Sequence, residues 1–296
     1  MPPTDLSRCS AASRHRGDPQ AGTAPVASRW LLVEHQGPWA KKPMETAPLL
    51  GPLGAEVEKT CASFGGKVLL VRRPGRRAPG EDPHAWYAVD TVRRTWVRGT
   101  WRTAEDLLGA AHALGTRLSA SDEDAEPMVL VCTHGTRDAC CAVRGRPIVA
   151  TLARALPDEV WECTHLGGHR FAGTLLSLPD GGCFGRLEPD NAVEVVTSHR
   201  RGRTDAGRLR GTTRWEPAVQ AALVAALVAH GPASADDVVP GAVDADGERT
   251  TVEVLGRGPM PERVVVDVVT EALPDAPLSC GDRPKVHVAQ RAVVRL

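Results

Sequence analysis

The sequence lacks the charge imbalance that marks many proteins with polyanionic partners. Its 296 residues contain 36 Lys and Arg against 36 Asp and Glu, so the formal net charge is zero. A protein that binds mainly nucleic acid or an anionic membrane surface carries a basic footprint. We therefore expect neither a nucleic acid nor a membrane as partner.

Long apolar runs are also missing. The nearest candidate, 219–228, contains Gln220 and is about half as long as the roughly 18 residues that a membrane-spanning helix needs. The first 28 residues carry Arg, Asp, Pro and Gly throughout and lack the apolar core of a secretory signal. We therefore predict a cytoplasmic protein whose cysteines are kept reduced.

Two catalytic motifs are absent as well. The chain has no Cys-x-x-Cys, which weakens the hypothesis of a thiol oxidoreductase and leaves it as the third choice. It has no Gly-x-Ser-x-Gly nucleophile elbow, so the sequence gives no support to a hydrolase. Whether the protein is an enzyme stays open, and electron transfer is favoured over hydrolysis.

The apolar pattern predicts two successive α/β units. After a polar arm at 1–27, strand, helix and hairpin signals in 28–118 give the order β-α-β-β-β-α. An acidic stretch at 119–127 is typical of a linker. The segment 128–203 then gives β-α-β-β-β and a last short strand or helix.

The two units match at their first strands. Residues 31–37 align without a gap on residues 129–135, and Glu34 takes the place of Cys132. We infer a degenerate tandem repeat in which only the second copy carries metal-type residues, while Arg72 and its neighbours stand where a His pair would be. A β-α-β crossover followed by a hairpin and a helix predicts a thioredoxin-like α/β layer in each unit.

The segment 215–296 is expected to form a small accessory module. It contains an amphipathic helix at 217–230, with Pro at its first turn and Gly231 at its end. Three β-rich runs follow the helix, at 250–255, 264–270 and 286–296. These runs predict a small sheet without a large core of its own.

Cysteine and histidine are concentrated in the second unit, where five of the eight cysteines lie between 132 and 183. Cys132 ends a predicted strand and Cys141 closes the following loop. His165 and His169 follow the next strand, separated by Leu and two glycines that permit tight backbone turns. Strand ends of one sheet place side chains together, so two thiols and two imidazoles there predict a metal site.

These motifs resemble those of the sucrase/ferredoxin-like family. The residues that carry the resemblance are VCTHGTRDACC with its Cys-x8-Cys, HLGGH followed by Arg170, WLLVEHQGPW near the amino terminus, and LSCGD around Cys280. The resemblance implies a thioredoxin-like [2Fe–2S] ferredoxin domain. It implies Cys132, Cys141, His165 and His169 as cluster ligands, and it makes Cys140 a neighbour of the site.

The implied cluster would carry less negative charge than one held by four thiolates. Replacing two thiolates by neutral imidazoles raises the reduction potential above that of plant-type ferredoxins and allows electron transfer to be coupled to a proton. Arg137, Asp138 and Arg170 are candidates for hydrogen bonds to the ligands. For Arg137 and Asp138 a local ion pair and helix cap is an equal alternative, and His134 is expected to be a solvated loop residue.

A structural Cys2His2 zinc site on the same four residues is the second interpretation, in a protein that mediates interactions without redox chemistry. The Cys-x8-Cys spacing exceeds the short spacings of zinc fingers and favours a larger cofactor. The sequence identifies no redox partner protein.

Overall fold

The chain forms two compact units, each assembled from separate segments. The structure, a computed structural model, describes residues 7–46, 50–51, 53–75, 84–116 and 127–295. The sheet unit comprises Ala27–Leu166 and Leu175–Gly181, and the terminal unit comprises Met1–Val26, Gly167–Thr174 and Gly182–Leu296. The predicted linker, apart from Pro127, lies outside the described residues.

The described part of the chain forms thirteen strands and seven α-helices. The strands are β1 (Arg29–Glu34), β2 (Gly66–Arg72), β3 (His84–Asp90), β4 (Thr95–Trp101), β5 (Met128–Cys132), β6 (Val160–Cys163), β7 (Leu175–Leu178), β8 (Gly182–Phe184), β9 (Leu209–Thr212), β10 (Val238–Asp246), β11 (Arg249–Gly256), β12 (Arg263–Ala276) and β13 (Lys285–Val294). The helices are α1 (Cys9–Arg16), α2 (Pro43–Thr46), α3 (Leu53–Ser63), α4 (Ala104–Ala113), α5 (Ala139–Ala155), α6 (Ala192–Arg200) and α7 (Pro217–His230).

Seven strands of the sheet unit pair in the order β4-β3-β1-β2-β6-β5-β7. Strand β1 runs parallel to β2 and antiparallel to β3, while β5 runs parallel to β6 and antiparallel to β7. The antiparallel pair β2–β6 joins these two halves. The predicted α/β class is confirmed, and the pairing scheme occurs twice, as expected of a tandem repeat.

The two halves also agree in register. Glu34, the last residue of β1, lies opposite Val71, while Cys132, the last residue of β5, lies opposite Cys163. Both Cys132 and Glu34 therefore stand at the carboxyl end of a strand next to a parallel neighbour. The sheet offers the same position twice, and the residue type at that position differs.

Aromatic and aliphatic side chains fill the core of the first half. Trp39, Trp101, Leu31 and Leu107 are buried in one cluster, against which Trp86 packs. Burying a large apolar side chain contributes about 1.5–3 kcal/mol. These tryptophans thus stabilise the fold.

The terminal unit is built around α7. This helix packs on β9 and on the antiparallel sheet β10-β11-β12-β13, and nearly all of its residues from Val219 to Leu227 are buried. The prediction of an amphipathic helix is therefore wrong, because α7 is covered on almost every side. The predicted small sheet is present, although it has four strands instead of three.

Three elements differ from the sequence-based expectation. Helix α1 lies in the predicted polar arm, because small residues such as Ser10, Ala11 and Ser13 bury one of its faces. Strand β9 carries the fully buried Arg210, and β10 continues past the turn signal Pro240-Gly241 by a register shift. None of these three segments shows the apolar periodicity that predicts a strand or a helix.

Over the described part of the chain, no helix combines the length and apolarity that crossing a membrane requires.

Candidate metal centre

Cys132 is fixed at the end of β5 by the helix packed behind it. The strand is buried throughout, and Cys132 is 1% exposed. Gly145 of α5 lies directly against the Cys132 carbonyl, where the β-carbon of any other residue would collide with that oxygen. This close approach holds the start of α5 near the end of β5.

Cys141 belongs to the first turn of α5. Asp138 is the N-cap of this helix, and its Oδ1 accepts a hydrogen bond of 2.8 Å from the backbone N–H of Cys140. Such a cap satisfies a backbone donor that has no partner within the helix. It also sets the direction from which the Cys141 side chain leaves the helix.

His165 follows β6 after a single intervening residue. That residue, Thr164, bonds to β2 twice: its N–H donates to the Leu70 carbonyl at 2.9 Å, and its Oγ1 accepts the Leu70 N–H at 3.0 Å. These bonds hold the chain just beyond the strand end. The His165 ring, half-buried, is thereby brought to the same sheet edge as Cys132.

The three side chains converge on one point. One donor atom each of Cys132, Cys141 and His165 lies within 4.8 Å of the other two, and Cys141 Sγ is 3.7 Å from His165 Nδ1. Two thiols and one imidazole are typical ligands of zinc and of iron–sulfur clusters. This donor set could hold a metal.

The electrostatics of the two thiols are opposite. A hydrogen bond from Cys141 lowers the pKa of Cys132 well below its usual value, against the effect of burial, and His165 and the backbone N–H of His134 lower it further. The same hydrogen bond, together with burial, raises the pKa of Cys141. This hydrogen bond therefore favours the thiolate form at Cys132 and the protonated thiol at Cys141.

His134 contradicts the expectation of a solvated residue. It is 2% exposed, its Nε2 lies 2.9 Å from the Ala40 carbonyl oxygen, and its ring meets Trp39 edge to face. Burial is the main cause that lowers the pKa of His134. A neutral imidazole at this position donates from Nε2, while its buried Nδ1 has no partner among the described residues.

A cavity of about 240 Å³ opens beside the cluster. His134 and His165 line its inner wall. Its remaining lining includes three exposed cations and two carboxylates: Lys41, Lys42, Arg137, Glu45 and Glu58. Lys42 and Glu45 form a surface ion pair of 2.9 Å. The cavity leads from solvent to the imidazole of the candidate site.

The other predicted site residues have separate positions. His169 begins the short 3-10 turn His169–Phe171 of the terminal unit, after two glycines with positive φ. Arg170, in the same turn, lies over the Phe171 ring and 3.9 Å from Asp18. Asp138 caps α5, and Arg137 lines the cavity. The cluster within the sheet unit therefore contains three of the four predicted ligands, Cys132, Cys141 and His165.

Among the described residues, no group of three or more potential metal ligands lies at the corresponding position of the first half. Glu34 accepts hydrogen bonds from the Gln36 side chain and the Ala85 backbone. Arg72, at the end of β2, forms a 2.6 Å ion pair with Glu162 and lies over Trp39. Glu34 and Arg72 thus each have partners within the surrounding strands and loops, which fits a structural role for this position.

One thiol pair is not predictable from the sequence. Cys9 of α1 and Cys280, in the turn between β12 and β13, are 271 residues apart, yet their sulfurs lie 3.7 Å apart. No local signal could reveal this contact, because neither cysteine has a partner nearby in the chain. Cys163 and Cys183, the other two cysteines of the 132–183 segment outside the cluster and Cys140, are fully buried.

Comparisons with known proteins agree with the motifs. The profile of the family described as sucrase/ferredoxin-like matches residues 20–211, which confirms the resemblance. Two relatives carry the name altered inheritance of mitochondria protein 32. The protein from Meyerozyma guilliermondii is 30% identical over 97 residues, 29% of this chain and 34% of the relative. The protein from Candida glabrata is 29% identical over 98 residues, 28% of this chain and 31% of the relative.

The chain thus spans about a third of the length of these curated relatives. No solved structure gives a significant match. Helix α7 and the sheet β10–β13 lie beyond the part that the family profile covers.

Proposed function

The chain belongs to the sucrase/ferredoxin-like family, and from this premise we propose that it is a one-electron carrier or redox sensor that binds a [2Fe–2S] cluster. The proposed ligands are Cys132, Cys141, His165 and His169. The observation that carries the proposal is the convergence of Cys132, Cys141 and His165. His169 joins them by the family resemblance and by its position four residues after His165.

The residues present fit such a group. Metal binding requires thiolates and neutral imidazoles. Cys132 already favours the thiolate, and Cys141 needs to lose one proton on binding. A [2Fe–2S] cluster accepts and releases one electron at a time. Two thiolates and two imidazoles add two negative charges where four thiolates would add four, which favours the reduced state.

The candidate site is closed to solvent at its two thiols and open to solvent at His165. Cys132 and Cys141 are both 1% exposed, whereas His165 is half-buried and faces the cavity described above. We propose that electrons enter and leave at His165. The cavity lining carries three cations, Lys41, Lys42 and Arg137, against two carboxylates, and this small positive excess suits a redox partner protein with an acidic docking face.

The location of the protein is a further part of the proposal. We retain the cytoplasmic location expected from the sequence. The names of the two relatives refer to mitochondria, but they concern proteins of which this chain covers about a third.

Metal analysis of protein purified without air tests the proposal. We expect two iron atoms and two acid-labile sulfides per chain, a coloured protein, and an electron paramagnetic resonance signal after one-electron reduction. The variants Cys141→Ser and His169→Ser should lose the iron, and Cys140→Ser is the matched control that should retain it. A colourless wild-type protein without iron would overturn the proposal.

A structural zinc site is the second candidate, and one distance favours it. Ligands bound to one zinc at about 2.0–2.3 Å lie less than 4 Å apart, and Cys141 Sγ lies 3.7 Å from His165 Nδ1. This one separation suits two ligands of a single ion. One zinc per chain, without sulfide or colour, is the result that would establish this candidate in the same metal analysis.

A further inference from the structure

Two cysteines of the terminal unit form a second thiol pair. Cys280 donates a hydrogen bond to Cys9, with 3.7 Å between the sulfurs. Two thiols at this separation need only a small movement to reach the bond length of a disulfide, about 2.05 Å. The pair takes no part in the electron-transfer function proposed above.

The surroundings give the two thiols different roles. Cys9 is 1% exposed and is the first residue of α1. Cys280 is partly exposed, in a turn closed by a 3.2 Å hydrogen bond from the Asp282 N–H to the Ser279 carbonyl. Gly281, in this turn, has a φ of +83°, which glycine adopts at little cost. An oxidant from solvent therefore reaches Cys280 before it reaches Cys9.

The helix end also affects Cys9. The first turn of α1 contains no acidic residue, and its last turn carries Arg14, His15 and Arg16. The amino-terminal end of a helix bears partial positive charge and stabilises a thiolate there. Cys9 Sγ, at this helix end, lies 3.7 Å from Cys280 Sγ and is therefore placed to attack it once Cys280 is oxidised.

We propose that Cys9 and Cys280 are a thiol oxidation site that forms a reversible disulfide with a hydroperoxide as oxidant. The Cys280 thiolate attacks the peroxide, the O–O bond breaks, and Cys280 becomes a sulfenic acid while the leaving oxygen takes up a proton to give an alcohol or water. The Cys9 sulfur then attacks the Cys280 sulfur. The S–S bond forms, the S–O bond breaks, and water leaves with the Cys9 proton.

The electrons and atoms balance in this sequence. Two thiols lose two electrons and two hydrogens, and one hydroperoxide is reduced to an alcohol and water. A dithiol reverses the reaction by thiol–disulfide exchange. The disulfide would connect α1 to the β12–β13 turn and would restrict the unfolded chain over 271 residues.

Peptide mapping of the full-length protein tests the proposal. The wild type is treated with about one equivalent of hydrogen peroxide, free thiols are blocked with an alkylating reagent, and the protein is digested without reduction. We expect a cross-linked peptide pair containing Cys9 and Cys280, which disappears after dithiothreitol. Oxidised protein should also unfold at a higher temperature than reduced protein, because the cross-link limits its unfolded state.

Variants supply the controls. Cys9→Ser should stop at an oxidised Cys280 without the intramolecular link, and Cys61→Ser should form the link as the wild type does. Cys61 is a suitable control because burial raises its pKa to about 12. A disulfide from Cys280 to any other cysteine, or reduced Cys9 and Cys280 after treatment, would overturn the proposal.

The measurement does not depend on the metal centre. Iron content is determined on the same samples, so a protein that lacks iron but forms the link would contradict the electron-transfer function and support the thiol site. A protein that holds iron but forms no link would do the opposite.

Discussion

The ends of β1 and β5 occupy the same position in two halves of one sheet, yet they differ in chemistry. At the end of β5, Cys132 faces Cys141 and His165 in a group of potential metal ligands. At the end of β1, Glu34 hydrogen-bonds to its own loop, and Arg72 pairs with Glu162. The comparison teaches that the fold supplies the position twice, while side chains from the adjoining loops and strand ends decide whether it becomes a site.

The largest expected effect tests which half holds the metal. If the proposed site is correct, Cys132→Ser should remove all bound metal, because it deletes the buried sulfur on which the other proposed ligands converge. Glu34→Gln, at the equivalent register position, should leave the metal content unchanged. The measurement is the metal content per chain of each purified variant. Metal retained by Cys132→Ser would show that the metal binds elsewhere.

A pair of glycine substitutions compares the helices of the two halves. Gly145→Ala should destabilise the fold by about 3 kcal/mol, because the new β-carbon collides with the Cys132 carbonyl. Gly109→Ala in α4 meets no atom within 4 Å and should stabilise by about 0.5–1 kcal/mol. Urea unfolding measures the free energy of unfolding of each variant. Equal changes in Gly145→Ala and Gly109→Ala would refute the close packing of α5 on β5.

The ion pair that joins the halves should have an intermediate effect. Arg72 and Glu162 are 23% and 15% exposed, so Arg72→Gln leaves a largely buried carboxylate without its cation. We expect a loss of about 2 kcal/mol in unfolding free energy. The control is Lys42→Gln, which breaks the exposed Lys42–Glu45 ion pair and should leave the unfolding free energy unchanged. If Lys42→Gln lowered the unfolding free energy as much as Arg72→Gln does, burial would not be the reason that the Arg72–Glu162 pair stabilises the fold.

The smallest effect concerns the β3–β4 turn of the first half. Burial raises the pKa of Asp90, but N–H donors of Arg93 and Val92 and the nearby guanidinium groups lower it more, so the net shift is downward. The folded protein therefore binds this proton less tightly than the unfolded chain. The stabilisation is complete above about pH 4 and is lost as the pH falls through the lowered pKa.

Asp90→Asn should accordingly cost about 1 kcal/mol at pH 7 and progressively less below pH 4. Thermal unfolding of wild type and variant between pH 2.5 and 7 measures the difference. A difference that stays constant across this range would show that the carboxylate charge does not stabilise the turn.

Much of the sheet unit could be predicted because its apolar runs are local signals. The strands near Leu31 and Val129, and the helix that begins near Cys141, follow from hydrophobic periodicity alone. The convergence of Cys132, Cys141 and His165 follows from the rule that loops at adjacent strand ends lie together. The burial of His134 could not be predicted, because it depends on Trp39 and Ala40, some 95 residues earlier.

The terminal unit was harder to predict for the same physical reason. Arg210 in β9 is buried because it donates to Thr23 Oγ1 at 3.0 Å and to the Gly167 carbonyl at 3.1 Å, and neither partner is local in sequence. The Cys9–Cys280 contact joins segments from opposite ends of the chain. A pattern of neighbouring residues contains no information about such partners.

The discontinuous units have a consequence for the order of events during synthesis. The sheet unit ends at Gly181, so all its residues have been translated about 99 residues before Cys280. At ribosomal rates of about 5–20 residues per second, this interval lasts about 5–20 s. Cys132, Cys141 and His165 are all translated before it begins, whereas α1 waits through all of it for Cys280.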